Sequence, residues 1–201
     1  MSWKIAIPDA VDAETRLLGV VLCGGRSSRM GRDKAVLAHP AGVTFLQHSI
    51  DRLRAVCDDV CISSASKRAG EEKLGVVRVQ DPVAHRGPIV GVAASLRYAH
   101  ERGYAACLFT PVDMPDVTAE ELVQIRDRWR LDSRQLVCTC DAGTGQIDPL
   151  IGIYPVHLAD RISKAAASED RSLRRFIQRN QATRIGLATR SLRNVNRPED
   201  L

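Results

Sequence analysis

The fold of this chain is decided by one stretch, Leu22-Cys23-Gly24-Gly25-Arg26-Ser27-Ser28-Arg29-Met30-Gly31-Arg32-Asp33-Lys34. An apolar run, Leu17–Leu22, leads directly into it and predicts a buried strand. The glycines of the stretch allow backbone amides to approach an anion without obstruction by a Cβ atom. Its arginines and its lysine add positive charge to the same loop. A strand that ends in such a loop is typical of an α/β sheet that binds a nucleotide at its carboxyl edge.

Neither of the two best-known phosphate-binding motifs fits this loop. A P-loop ends in Gly-Lys-Ser or Gly-Lys-Thr, and a dinucleotide fingerprint reads G-x-G-x-x-G. Lys34 is nevertheless suited to the α-phosphate and the departing pyrophosphate, because its ammonium group is a mobile point charge. The alternative is an ordinary solvated lysine.

Strand-like and helix-like runs alternate along the rest of the chain. Strands are predicted at Leu17–Leu22, Asp59–Ser63, Val76–Gln80, Ala105–Thr110, Gln135–Thr139, Leu150–Tyr154 and Arg184–Leu187. Helices are predicted at Thr44–Val56, Pro88–Glu101, Ala119–Arg130, Val156–Ala167 and Ser172–Asn180. This alternation predicts a single α/β domain over residues 17–201, with a doubly wound, mostly parallel sheet and ligands at the carboxyl ends of its strands. Residues 1–16 are interpreted as an extension, because they lack periodicity.

A lone carboxylate, Asp113, follows the apolar run Ala105–Thr110 within the segment Thr110–Pro115. A carboxylate is costly to place beyond a buried strand unless it is used. Magnesium prefers one or two carboxylates together with phosphate oxygens and water, so a metal ligand is one interpretation. The other is an aspartate that caps the turn or the following helix.

Two further segments end at the same predicted edge. Asp81 follows the strand Val76–Gln80 and precedes a proline, which is also compatible with an ordinary Asp-Pro turn. Gly87 precedes a helix that opens with Pro88, and the exposed amides of that helix start are suited to a base edge or a phosphate. The other interpretation is that Gly87 and Gly91 allow the helix to pack closely on a strand. Ligand binding and close packing are compatible with each other.

The composition of the chain restricts its possible functions more than it restricts its fold. The chain has 201 residues, 44% of them apolar and 26% charged, as in an ordinary globular protein. The net charge of +5 is explained equally well by a basic solvated surface and by anion binding. Aromatic residues make up only 4%, which argues against a stacking platform for single-stranded nucleic acid. Neither nucleic acid nor a membrane is expected as a partner.

The six cysteines predict reduced thiols rather than a disulfide framework or a zinc site. They form no C-x-x-C, and Cys61, Cys107 and Cys138 lie in apolar runs where a free cysteine behaves as a small hydrophobe. Cys23 is expected to pack beneath the loop, although its position there also leaves oxidation open. Together with the lack of a secretory signal or a long apolar run, this predicts a cytoplasmic protein.

Four segments in register resemble the molybdenum cofactor guanylyltransferases. They are the L-x-G-G-x-S-x-R-M-G-x-D-K loop of residues 22–34, Gly87–Gly91, Thr110–Pro115 and Asn194–Leu201. The resemblance implies that the protein transfers GMP from GTP to the phosphate of a molybdopterin-type acceptor and releases pyrophosphate, with Mg²⁺ as cofactor. It implies GTP, the acceptor and other proteins of molybdenum cofactor biosynthesis or cofactor-accepting proteins as partners.

The resemblance also assigns roles to individual residues. Asp113 would hold the metal, and Lys34 and Arg29 would act with it on the phosphates. Asn194 and Asn196 would lie near the acceptor. The implied nucleotide-binding positions are Leu22, Cys23, Gly24, Gly25, Lys34, Ser63, Asp81, Gly87 and Asp113.

Two positions depart from the family pattern. Ser63 stands where relatives usually have an asparagine that touches the nucleotide. Asp148 stands beside a Pro-Leu pair, where it would either repel a phosphorylated acceptor or lie near a metal. The alternatives are therefore a CTP-dependent cytidylyltransferase, a sugar-phosphate nucleotidyltransferase and a nucleotide-binding homologue without turnover.

Overall fold

The computed structural model of the protein describes residues 15–23, 34–67, 71–81 and 87–195. The strands in this part of the chain form one sheet: β1 (Leu17–Leu22), β2 (Asp59–Ser64), β3 (Val77–Gln80), β4 (Ala106–Pro111), β5 (Val137–Asp141), β6 (Ile147–Pro155) and β7 (Thr183–Leu187). The α-helices are α1 (Phe45–Arg54), α2 (Pro88–Glu101), α3 (Ala119–Arg130), α4 (Ala159–Ala167) and α5 (Leu173–Arg179).

The strands lie in the order β3-β2-β1-β4-β6-β5-β7. All neighbouring pairs are parallel except those of β6, which runs antiparallel to both β4 and β5. The predicted fold class, a mostly parallel α/β sheet in one domain, is confirmed. Because β6 is reversed, its first residues share an edge with the carboxyl ends of the other six strands. Every site residue described below lies at or near that edge.

The helices cover both faces of the sheet. Helices α2, α4 and α5 contribute to one apolar layer, and α1 and α3 contribute to the other. Strand β1 is apolar throughout because both of its faces are buried. Leu18 and Val20 belong to the first layer, and Leu17 and Val21 belong to the second. A strand that is buried on both faces has no solvent side on which a polar residue would alternate.

The predicted elements agree closely with the observed ones. The capping box at the start of α3 is present, with the Glu121 amide donating to Thr118 Oγ1 at 3.2 Å and the Thr118 amide donating to Glu121 Oε2 at 2.9 Å. Strand β6 begins at Ile147, earlier than predicted, and α4 begins at Ala159 because residues 156–158 form a 3-10 turn.

The boundary of the predicted extension lies at a residue that contacts the domain. Residues 1–14 lie outside the described part of the chain. Arg16 forms an ion pair with Asp59 at 3.1 Å, and its guanidinium lies 4.4 Å above the ring of Tyr104. Among the described residues, no helix has the length and apolar character needed to cross a membrane.

Candidate active site

An ion pair between Lys34 and Asp113 lies at the carboxyl edge of the sheet. Lys34 Nζ is 3.1 Å from Asp113 Oδ2, although the two residues are 79 positions apart in the sequence. Lys34 begins a short 3-10 helix, Lys34–Val36, and Asp113 lies in the turn that follows β4. The side chains are 17% and 30% exposed. The structure therefore brings together the predicted phosphate cation and the predicted metal ligand in a position that a ligand can reach.

The surroundings of Asp113 fit a magnesium ion that is shared with a triphosphate. Asp113 Oδ2 accepts from Lys34, and Oδ1 accepts no hydrogen bond from the described residues. No group of three or more His, Cys, Asp or Glu side chains converges in the described ranges. A site with one carboxylate suits Mg²⁺, which takes its other oxygens from phosphates and water. The same site would be a poor cage for Ca²⁺ or Zn²⁺, which need more protein ligands.

A buried arginine fixes the loop that carries Asp113. Arg52 of α1 is only 7% exposed, and its Nη1 atom donates to the carbonyl groups of Met114, Pro115 and Val117. Its Nη2 atom donates to Ser49 Oγ at 3.2 Å. Burial lowers the pKa of Arg52 to about 10, the largest perturbation of any cation in the described chain. The guanidinium replaces its lost hydration with loop carbonyls, so helix α1 sets the path of the loop after Asp113.

Arg52 was not among the residues predicted from the sequence. The signal was present, because Arg52 shares the buried face of α1 with Phe45 and Ser49 at helical spacing. An arginine on an apolar helix face must find buried acceptors, and loop carbonyls are the usual supply. Sequence alone does not reveal which loop provides them.

Two stacked histidines connect the loop after Asp113 to the segment that follows Lys34. The rings of His39 and His48 are 3.9 Å apart and nearly parallel. His39 belongs to the segment that follows the Lys34 turn, and His48 is hydrogen-bonded to the backbone of Pro115. Burial and the charge of Arg52 lower the pKa of both rings. The loops of Lys34 and Asp113 are thus joined through neutral imidazoles.

The predicted nucleotide side is organised by a pair of polar residues on β2 and after β3. Ser63 Oγ donates to Asp81 Oδ1 at 2.7 Å, and the Cys23 amide donates to the Ser63 carbonyl at 2.9 Å. Ser63 is 1% exposed and Cys23 is 5% exposed. Ser63 therefore orients the carboxylate of Asp81, and Cys23 is buried, while the loop that follows Cys23 lies outside the described residues. Direct contact of either residue with the nucleotide stays a prediction.

Helix α2 approaches this pair closely. A Cβ atom on Gly91 would lie 2.6 Å from Ser63 Oγ and 3.1 Å from Asp81 Oδ1, so the packing interpretation of Gly91 is confirmed. Gly87 caps α2 with a φ of 82°, a left-handed conformation that favours glycine, and a Cβ there would meet open space. Gly87 is therefore required for its backbone conformation, and the interpretation that it allows close packing of the helix on a strand is wrong.

A cleft of about 600 Å³ lies on the other side of β4, at the same edge of the sheet. Its wall includes Asp148, Arg174, Arg190 and Asn194. Within the described residues, the guanidinium groups of Arg174 and Arg190 form no hydrogen bond or close ion pair. Two unpaired cations in one cleft are suited to an anionic ligand. The predicted acceptor residue Asn194 therefore lies where an anionic acceptor would be bound.

The segment that carries Asn194 is hydrogen-bonded to the loop that carries Asp113. The Val195 amide donates to the Asp113 carbonyl at 2.8 Å, and Arg193 Nε donates to Asp116 Oδ2 at 3.0 Å. The residues on both sides of Asn194 are thereby held against the loop after β4. Ser191 Oγ adds a hydrogen bond to Glu121 Oε1 at 2.6 Å.

Asp148 lies close to the start of β6 and so at the functional edge. Phe109 and Gly152 are the last residues that β4 and β6 pair with each other, and Asp113 and Asp148 each lie four positions beyond them toward the functional edge. Burial raises the pKa of Asp148, and the charge of Asp113 adds to the increase while Arg174 opposes it. The sequence analysis left its place undecided, and the structure places it in the wall of the cleft together with Arg174.

Some predicted site residues fall outside the described ranges. They are Gly24, Gly25, Arg29 and Asn196. Their assignments stay predictions.

Comparison with known proteins decides the family. The profile described as MobA-like NTP transferase domain matches residues 19–184. The chain belongs to this family. The resemblance drawn from the sequence is therefore confirmed, and so is its enzyme class, a nucleotidyltransferase.

Two curated relatives match nearly the whole chain. A probable molybdenum cofactor guanylyltransferase of Rhodopirellula baltica is 42% identical over 200 residues, which cover 98% of this chain and 94% of the relative. One of Mycobacterium avium is 32% identical over 188 residues, covering 92% and 93%. The crystal structure of molybdopterin-guanine dinucleotide biosynthesis protein A from Archaeoglobus fulgidus superposes with a TM-score of 0.72 at 18% identity, over 92% of this chain and 94% of that one. That likeness supports the fold.

Proposed function

We propose that this protein transfers GMP from GTP to the terminal phosphate of a molybdopterin-type cofactor. An oxygen of the acceptor phosphate forms a bond to the α-phosphorus of GTP, the bond from that phosphorus to the bridging oxygen breaks, and pyrophosphate leaves. The proposal is supported by near full-length relatives named as molybdenum cofactor guanylyltransferases. The structural observation that carries it is the Lys34–Asp113 pair, which lies between a nucleotide side and an anion-binding cleft.

The residues of the chain contribute positioning and charge rather than a nucleophile. Lys34 contacts phosphate oxygens whose charge increases as the bond to pyrophosphate breaks, and this favours the transition state. Asp113 would hold Mg²⁺, which would supply charge neutralisation at the phosphates. The held segment of Asn194 places the acceptor relative to Asp113. Such positioning alone supplies a large part of the rate enhancement of a two-substrate reaction.

The two sides of β4 are assigned to the two substrates. Strands β1, β2 and β3, with Asp81 and the start of α2, form the guanosine side. Strands β6, β5 and β7 form the acceptor side, where Arg174 and Arg190 attract the acceptor's anionic groups. In-line attack requires the acceptor phosphate and the α-phosphate to meet, and β4, with the turn that follows it, lies between the two sides.

The setting of the reaction is part of the same proposal. Cys61, Cys107 and Cys138 are free thiols buried in the core, which agrees with a reducing compartment such as the cytoplasm. The cofactor must be received from one protein and passed to another, so proteins of the same biosynthesis are the proposed partners.

The test is pyrophosphate release by the purified chain with Mg²⁺ and a molybdopterin-type acceptor. GTP should support release that depends on the acceptor, and CTP and ATP should not. Release with CTP alone would reassign the protein as a cytidylyltransferase. Tight GTP binding without release under any acceptor would identify a nucleotide-binding homologue without turnover.

A further inference from the structure

Among the groups that line the cleft, Asp141 and Asp148 carry charges that oppose an anionic acceptor, and the amides of its own turn engage Asp141. We propose that Asp148 recognises the acceptor's pterin ring, accepting hydrogen bonds from the ring N3–H and the 2-amino group. It thereby acts as a specificity-determining residue, an inference that rests on the proposed function. Arg174 and Arg190 would bind the anionic part of the same ligand.

The position of Asp148 is imposed by the reversed strand. Because β6 starts at the functional edge, a residue near its first position lies beside the proposed substrates, whereas the same residue near the start of a parallel strand would lie at the opposite edge of the sheet. The pairing of β5 with β6 jumps from Cys138–Gly152 to Thr139–Asp148, so a bulge separates Asp148 from the regular ladder. Bulges commonly redirect a side chain beside a functional site.

The hydrogen-bonding capacity of Asp148 is only partly used within the protein. Its Oδ1 atom accepts from the Leu150 amide at 2.8 Å, across the intervening Pro149, and the Ile151 amide is also hydrogen-bonded to the carboxylate. A carboxylate offers about four acceptor positions, so acceptors remain for a ligand that presents two adjacent N–H donors. The other carboxylate of the cleft, Asp141, is already engaged by the amides of Gly143 and Thr144 at 2.9 and 2.8 Å.

A ligand that carries both an anion and paired N–H donors explains the mixed lining of the cleft. A cleft for a phosphate alone would gain nothing from a carboxylate beside its arginines, because like charges repel. A pterin with a phosphorylated side chain presents its donor edge to Asp148 and its anion to the arginines. The carboxylate of Asp148 and the guanidinium groups of the arginines then contact different parts of one molecule.

Guanine has the same donor edge, in its N1–H and 2-amino group. Asp148 lies on β6, and the guanosine side proposed above lies across β4 and β1 from it. Asp81, hydrogen-bonded to Ser63, is the carboxylate on that side. The placement therefore assigns Asp148 to the pterin, and the experiment below separates the two sources of this edge.

The experiment compares two ligands that differ only in this edge. The first is 6-hydroxymethylpterin phosphate. The second is 6-hydroxymethyllumazine phosphate, which has a carbonyl oxygen in place of the 2-amino group. The wild-type chain should bind the pterin at least about tenfold more tightly, because the carbonyl oxygen would face a carboxylate that has no proton to donate. Binding is measured by calorimetry with GTP and Mg²⁺ present and absent.

The variant Asp148→Asn should reverse this preference. An asparagine oxygen can still accept from the Leu150 amide, so the turn is preserved. Its NH₂ group now matches the lumazine carbonyl oxygen and faces the pterin amino group unfavourably. Asp132→Asn is the matched control, because Asp132 accepts from the amide two residues ahead, that of Arg134, at 3.2 Å on an exposed turn. The control should keep the wild-type preference.

A separate arm tests guanine by comparing GTP with ITP, which lacks the 2-amino group. The ratio of the two affinities should be the same in the wild type and in Asp148→Asn. A change confined to that ratio would show that Asp148 reads the guanine and would overturn the proposal. An unchanged pterin-to-lumazine ratio in Asp148→Asn would also overturn it, while acceptor-dependent pyrophosphate release from GTP would still uphold the proposed function. Absence of that release would instead remove the proposed function.

Discussion

Arg52 Nη1 lies 3.0 Å from the carbonyl oxygen of Pro115, and this contact joins the buried face of α1 to the loop that carries Asp113. The guanidinium also serves the carbonyl groups of Met114 and Val117. A planar group with five donors can serve several carbonyls at once, whereas an ammonium group cannot keep the same directions. The loop after Asp113 is therefore shaped by one side chain.

Replacing Arg52 by lysine should lower kcat more than it raises the KM for GTP. The loop loses some of its hydrogen bonds, each worth about 1 kcal/mol net, and Asp113 is no longer held in one place. Pyrophosphate release measured against GTP and Mg²⁺ concentration separates the two effects. Arg54→Lys on the same helix, where Arg54 donates to the Leu74 carbonyl on the exposed side, should behave as the wild type. Equal losses in both variants would point to a general weakening of α1.

Asp113→Asn should reduce Mg²⁺-dependent turnover by about a hundredfold or more while the fold is kept. The amide preserves the volume of the side chain but removes the charge that the metal requires. Circular dichroism and thermal unfolding check the fold, and pyrophosphate release checks turnover. Asp127→Asn, which only breaks a pair with Arg126 on the surface of α3, is the control. Near-normal release by Asp113→Asn would leave Asp113 as a turn residue.

Lys34→Ala should weaken binding of GTP and slow the chemical step, because the ammonium contacts charge that shifts during transfer. Lys34→Arg should restore part of the activity, since the charge returns in a different geometry. Calorimetry and single-turnover kinetics measure the two effects separately. If Lys34→Ala keeps both the affinity and the rate of the parent, the arginines of the loop carry the phosphates.

GTP should bind at least about tenfold more tightly than CTP or ATP, since unpaired polar groups in a base site penalise the wrong base. Gly91→Ala should weaken GTP binding, because its methyl group would displace Ser63 Oγ and with it Asp81. Calorimetry measures both. Ser95→Ala, farther along the same helix, removes a buried hydroxyl without a hydrogen-bond partner in the described structure and should leave GTP binding intact. Equal affinities for GTP and CTP would contradict the guanylyl assignment.

The free energy of unfolding should fall as the pH drops below about 6.5, the ordinary pKa of histidine. Burial and the charge of Arg52 lower the pKa of His39 and His48 in the folded protein. As the pH falls, these histidines therefore bind protons in the unfolded chain before they do so in the folded protein. The stabilisation is complete above the unfolded pKa and is lost as the pH falls through this window. Urea unfolding between pH 8 and pH 5 measures it. The double variant His39→Gln, His48→Gln should show a shallower decline, and an unchanged slope would refute the role of the pair.

The sequence predicted the architecture well where local patterns determine it. The apolar run of β1, the capping box of Thr118 and Glu121, and the proline at the start of α2 are local signals, and the elements lie where these signals place them. The sequence also indicated that Lys34 and Asp113 lie at the carboxyl edge of the sheet, because both follow predicted strands, but it did not predict their direct contact. The direction of β6 could not be predicted, because its residue pattern is compatible with both parallel and antiparallel pairing.

The place of Asp148 could therefore not be predicted, since it depends on the reversal of β6. Arg52 was missed for a related reason. Its burial is encoded in α1, but its acceptors are carbonyl groups, which carry no sequence signal, on a loop more than sixty residues away. Contacts to backbone atoms across the fold are thus the part of the site that sequence patterns leave open.

The proposed guanosine and acceptor sides lie on either side of the turn after β4, and this arrangement affects the release of the product. A dinucleotide product would span that turn, with one half on each side, and would be held by both sets of contacts at once. Two linked halves bind far more tightly than either alone, because the second binding event is intramolecular. Product departure then becomes the slow event of the cycle, and a non-hydrolysable mimic of the joined molecule would inhibit the enzyme more strongly than an analogue of either substrate.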